Sequence, residues 1–124
     1  MNPLYLAVAA TGAVGAPARY LVDIVVSDRR RGAFPWGTFV VNATGAFVLG
    51  FVTGLALHHG LPPSARTAVG TGLCGAYTTF STFAYETVRL IEDRAWWEAA
   101  LNIVASLAVG LLAGAAGLGL ALIL

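Results

Sequence analysis

Gly70-Thr71-Gly72-Leu73-Cys74-Gly75-Ala76-Tyr77-Thr78-Thr79-Phe80-Ser81-Thr82-Phe83 is the stretch on which the fold turns. It packs three glycines and five hydroxyl residues other than tyrosine into 14 positions. It also lies within residues 67–85, 19 positions without Asp, Glu, Lys or Arg. Uncharged chain of that length belongs in a membrane, yet Gly and Thr weaken a helix there. The reading that follows is a membrane helix broken near 75–79. Backbone groups freed by such a break must be matched by protein, water or an ion. Carbonyls released near Gly75 and Thr78 would form an oxygen cage for a small cation. The alternative is a continuous helix whose hydroxyls bond back to the preceding turn.

Working outward, charge is absent from residues 1–18, from 32–65 (34 positions) and from 99–124 (26 positions). A helix needs roughly 20 residues to cross the hydrocarbon layer. The spacing predicts four membrane helices near 4–26, 36–57, 67–91 and 98–122, one all-α domain spanning 1–124 with no room for a soluble unit. Composition agrees: of 124 residues, 58% are hydrophobic and 10% charged, with 15 glycines and no lysine. A water-soluble surface cannot be built from that. The net charge of +1 gives no footing for a nucleic-acid partner, and Cys74 alone excludes an intrachain disulfide. His58 and His59 lack companion ligands for zinc. The first apolar run has no basic region before it, so it reads as a retained helix rather than a signal peptide.

Short polar junctions at 27–32, 58–64 and 92–94 make sequential helices antiparallel. Arg29, Arg30, Arg31 and Arg94, with Arg89 nearby, mark one side, and Arg66 stands alone on the other. Loops one and three should therefore face the cytoplasm of a plasma membrane, with both termini outside.

Polar and small residues recur every fourth position: Thr38, Asn42, Ala46, Gly50 and Gly54 in helix two, Asn102, Ser106, Gly110 and Gly114 in helix four, and Thr11, Gly15, Arg19 and Asp23 in helix one. Such stripes serve close helix packing, and together they point to self-association with something polar between subunits. Phe80 and Phe83 would share a face; they are either packing residues or weakly positive ring edges turned toward an anion. Asn42, Ser81, Thr82 and Ser106 could offer neutral donors to the same anion. Neutral donors suit conduction, since a fixed charge at mid-membrane would tend to trap the ion. Arg19 can snorkel, pair with Asp23, or draw anions into a vestibule. Glu86 is costly within helix three and reads as a polar cap or a proton acceptor.

The chain closely resembles the Fluc (CrcB-like) fluoride channels over essentially its whole length. The resemblance rests on Gly12-Ala13-Val14-Gly15-Ala16-Pro17-Ala18-Arg19-Tyr20, on Gly37-Thr38-Phe39-Val40-Val41-Asn42-Ala43-Thr44-Gly45 and above all on residues 72–83, with their Thr-Thr-Phe-Ser-Thr-Phe run. It implies an antiparallel, dual-topology dimer with two fluoride pathways at the subunit interface. By resemblance, Phe80 and Phe83 form an aromatic box, Asn42 is the donor beside it, and Ser106 belongs to a polar track on helix four. Gly75 and Thr78 look like backbone-carbonyl ligands of a structural sodium ion. Arg19 resembles a vestibule arginine, and Thr38 and Glu86 resemble further pathway positions. Two departures stand out: Gly110 replaces a hydroxyl the track can carry, and the arginine distribution is lopsided. The partner is then a second, inverted copy or an oppositely oriented paralogue.

The residues alone point to a neutral anion path, and the resemblance implies a passive, fluoride-selective channel in a bacterial plasma membrane, with fluoride and membrane lipid as its other partners. A proton-coupled exporter of the small multidrug type would want an acid in helix one, and residues 4–22 contain none. A non-conducting assembly subunit built on the small-residue stripes is the third possibility. No nucleophile–base pair or metal cluster supports an enzyme.

Overall fold

The computed structural model describes all 124 residues. It is helical throughout: α1 (Pro3–Arg29), α2 (Trp36–His58), α3 (63–77), α4 (Ser81–Glu92) and α5 (Trp96–Ile123). The helices α1, α2 and α5 are each long and apolar enough to cross a membrane. The third segment is divided between α3 and α4, so neither piece alone reaches the roughly 20 residues a crossing needs. The molecule is thus a multi-pass membrane protein with its third helix interrupted after Tyr77.

Each start has a local cause. Asn2 caps α1 by accepting the Leu4 amide at 2.9 Å, and Pro3 occupies the first turn, where no N–H is required. Pro63 does the same for α3, which therefore begins four residues before the 67 inferred from charge alone. Residues 68–74 are wound more widely, as a π-helix, and the Gly75 amide reaches back five residues to the Gly70 carbonyl. Such widening misaligns carbonyls. Thr11 of α1 covers one of them, donating its hydroxyl to Ala68 O at 2.6 Å. Between α4 and α5 the chain reverses at Arg94, a left-handed residue (φ 58°), and the Ala95 amide closes the turn on Leu90 O at 2.8 Å.

Only 16 of the 124 residues are buried, while Leu107, Leu111 and Leu112 of α5 are 65–69% exposed. The apolar faces point outward to lipid, so close packing rather than water exclusion must hold the helices together. The most extensive contact is between α2 and α5. There Gly50 lies on the backbone of Gly114, and Gly117 lies on the Phe47 carbonyl; a Cβ at either would collide with main chain. Along α1 and α3, Gly15 meets the Leu73 carbonyl and Gly72 meets Thr11 and Val8 in the same way. At Gly110, on the helix-four stripe, an added Cβ would meet nothing within 4 Å, so no close approach there requires glycine. At the far end His59 Nε2 lies 2.6 Å from Ala121 O, covering one of the unpaired carbonyls of the last turn of α5.

Candidate functional site

The break between α3 and α4 organises everything around it. In a continuous helix the Thr79 amide would bond to Gly75 O, and the Thr82 amide to Thr78 O. Neither bond forms. The Thr79 amide donates instead to Asn42 Oδ1 of α2 at 2.8 Å, and Asn42 Nδ2 donates to Thr79 O, also at 2.8 Å. The Thr82 amide donates to Thr79 Oγ1 at 3.2 Å, and that hydroxyl donates on to Thr82 Oγ1 at 3.2 Å. The break therefore releases the carbonyls of Gly75 and Thr78 by giving their usual donors to side chains. Asn42 imitates a backbone partner, holding both backbone polar groups of the half-buried Thr79. This is a second role for Asn42, beside the donor role inferred from sequence.

Around this clamp a groove of about 580 Å³ opens along the side of the molecule. It gathers Asn42, Gly75, Thr78, Phe80, Phe83 and Ser106, and its lining holds no arginine and no carboxylate. The two phenyl rings stand 5.9 Å apart between centroids and tilt by 46°. Phe80 is 79% exposed in the single chain. Ser106 is wired into α4: its hydroxyl donates to Asn102 Oδ1 at 3.3 Å, Asn102 Nδ2 donates to Thr87 Oγ1 at 2.9 Å, and Thr87 Oγ1 donates to Phe83 O at 2.8 Å. The polar side chain on α5 and the second phenylalanine are thus joined by one buried chain of bonds.

The other sequence-derived residues lie elsewhere. Arg19, Thr38 and Thr82 line a separate recess of about 220 Å³ together with Asp23. Thr79 is shared between groove and recess and forms the wall dividing them. Arg19 does not choose Asp23: Asp23 Oδ1 accepts the Ser27 hydroxyl at 3.2 Å, and Arg19 Nη1 reaches Thr78 O at 3.5 Å. A released carbonyl at the C-terminal, negative end of α3 competes well for a cation, and an arginine placed before its acid on a helix is the weaker order for pairing. Ser81 is exposed and bonds only within the break, 3.3 Å from Thr79 Oγ1. Glu86 faces a third crevice near the arginine-rich end, and its Oε1 is buried without a hydrogen-bond partner.

Thr79 and Thr87 escaped the reading of the sequence. Thr79 stood inside the hydroxyl-rich stretch without a role of its own. Thr87 carried a usable signal, a hydroxyl four residues after Phe83 on the same helical face.

A neutral, aromatic-edged groove over a clamped helix break narrows the comparison with known proteins. The family model described as CrcB-like protein, Camphor Resistance (CrcB), matches residues 6–118. The chain belongs to the CrcB family. Among CrcB relatives, the protein of Leifsonia xyli subsp. xyli named Fluoride-specific ion channel FluC 1 is 53% identical over 121 residues, covering 97% of this chain and 87% of its own. One from Streptomyces avermitilis with the same name is 51% identical over 113 residues, 91% of either chain. Fluoride-specific ion channel FluC 2 of Mycobacterium tuberculosis strain H37Rv is 47% identical over 114 residues, covering 92% of this chain and 87% of its own.

Proposed function

We propose that this chain is a passive, fluoride-selective channel exporting fluoride across the bacterial cell membrane, and that its conducting unit is an antiparallel pair. The observation that carries the proposal is the convergence of Asn42, Phe80, Phe83 and Ser106 on one uncharged groove. Fluoride is small and strongly hydrated, so a selective path must replace its water closely without binding it so tightly that it stays. The spare proton of Asn42 Nδ2, hydroxyls and aromatic ring edges supply such contacts at low charge. The names of the CrcB relatives support fluoride as the ion. The groove is open along its length, and the highly exposed Phe80 is a poor wall for an ion path when lipid is its only neighbour. A second copy laid against this face would close it.

Gly75 and Thr78 suit a sodium ion at the contact between copies. Both carbonyls have lost their helical donors to side chains, and one copy offers two oxygens where a closed cation site needs several. The Arg19 guanidinium beside Thr78 O opposes the ion in part. When bound, sodium would tie the two breaks together. Thr38, Ser81, Thr82, Arg19 and Glu86 are assigned to the approaches of the pathway, outside the aromatic groove.

The lopsided arginines favour a second reading of the partner, an oppositely oriented paralogue in place of an inverted copy. Labelling a cysteine at one terminus of a Cys74→Ser protein from each side of intact cells separates the two. Efflux from liposomes tests the function itself. Fluoride should leave faster than from empty vesicles while chloride is retained, and Phe80→Ile or Phe83→Ile should abolish flux with the protein still folded. Absence of fluoride flux from a reconstituted, folded protein defeats the proposal.

A further inference from the structure

A crevice of about 660 Å³ opens at the arginine-rich end, between the α1–α2 loop and α4. Its lining includes Arg30, Arg31 and Arg89, with Trp36, Tyr85 and Asp93. The arginines come from two elements more than 50 positions apart, so the fold itself brings them together. They are partly ordered: the Arg30 guanidinium lies 5.1 Å from the centre of the Trp36 ring, and Arg89 Nη1 reaches Tyr85 Oη at 3.5 Å. A guanidinium stacked on an indole keeps its N–H edge free for an anion. Three arginines outweigh Asp93 and Glu86, the two acids in the lining. The rest of the lining is largely apolar, with Phe34, Pro35, Trp36 and Ala95 sharing the crevice with the arginines.

We infer that this crevice binds the headgroup of an anionic phospholipid, its phosphate held by Arg30, Arg31 and Arg89 and its acyl chains leaving past Phe34, Pro35 and Trp36. Three features favour a lipid over a soluble anion: Trp36 in the lining is a ring type that settles at headgroup level, the cations share the crevice with the apolar Phe34 and Pro35, and the space is of ligand size. The site shares no residue with the aromatic groove, and Glu86, assigned above to the approaches of the pathway, is the one member of its lining with a role there.

Quenching of tryptophan fluorescence by phosphatidylglycerol with brominated chains, mixed into phosphatidylcholine nanodiscs, measures the preference directly. The protein should favour phosphatidylglycerol, and each of Arg30→Gln, Arg31→Gln and Arg89→Gln should weaken that preference by roughly 5-fold. The triple variant should lose it, and an Arg→Lys triple should keep most of it and serve as the folded control. Equal quenching by brominated phosphatidylcholine overturns the assignment, as does a preference that survives the triple glutamine variant. Displacement of the lipid by millimolar inorganic phosphate also overturns it, because the crevice would then be a soluble-anion site.

Discussion

Replacing Asn42 by alanine removes both bonds that hold the Thr79 peptide across the break, each 2.8 Å long. A neutral hydrogen bond contributes about 1 kcal/mol net, and a polar group left unmatched away from water costs about 1–3 kcal/mol. With two groups affected, the clamp is therefore worth between about 2 and 6 kcal/mol, or on the order of 30- to 20,000-fold in the frequency with which the break opens. Amide hydrogen exchange on a peptide containing Thr79, with the protein in nanodiscs, reads that frequency, and fluoride efflux is measured on the same preparation. Asn42→Ala should accelerate Thr79 exchange by that factor and depress flux. Asn42→Asp sharpens the test. Its ionised carboxylate accepts from the Thr79 amide but repels the Thr79 carbonyl, whereas the protonated acid reproduces both bonds. Protection in Asn42→Asp should recover as pH falls and vanish as it rises, with the parent protein unaffected over the same range. Flux lost from Asn42→Ala with Thr79 protection intact would refute the clamp and leave Asn42 acting on the ion alone.

Three further outcomes follow from the packing and the bonds. Gly50→Val drives a branched side chain into the Gly114 backbone and should cost about 1–3 kcal/mol or more, seen as a lower thermal midpoint in detergent, whereas Gly110→Ala, with open space around it, should leave that midpoint unchanged. Thr87→Val strands Asn102 Nδ2 and should destabilise by about 1–3 kcal/mol while fluoride over chloride selectivity stays; a change in selectivity would place Thr87 in contact with the ion. Exchanging sodium for N-methylglucamine should weaken the proposed pair, read as a shift toward single chains on dilution, and an unchanged mass would remove the cation from Gly75 and Thr78.

How much of this was legible in the sequence depends on the range of the physics involved. The broken third helix was legible because its cause is local: glycines and hydroxyls crowd a membrane segment too uncharged to lie anywhere else. The phenylalanine spacing and the Asn42 stripe were legible from helical period alone. The start of α3 at Pro63 was missed because charge marks where the chain is able to cross, whereas proline at a first turn marks where a helix begins. The Arg19 contact was not among the alternatives the sequence offers because its acceptor, the Thr78 carbonyl, lies 59 positions away and becomes available only after the helix has broken.

The break is stable in a medium without water because side chains answer the backbone groups it frees. Sequence shows that backbone groups are released but not which side chains answer them. The structure answers with Asn42 on α2, Thr79 in the break itself and Arg19 on α1. Two separate helices thus converge on a break that also supplies its own hydroxyl, and two of the stripes read from the sequence as packing surfaces supply a member each. The stripes consequently do two jobs: the glycines bring backbones close, and the polar side chains between them satisfy what the closeness exposes. Gly110 fits neither job within one chain, since a side chain there would point into open space and it carries no polar side-chain atom. A small residue with open space before it, one turn beyond Ser106, is what a helix offers to a partner that approaches closely. The open groove beside it is lined by groups ready to face that partner.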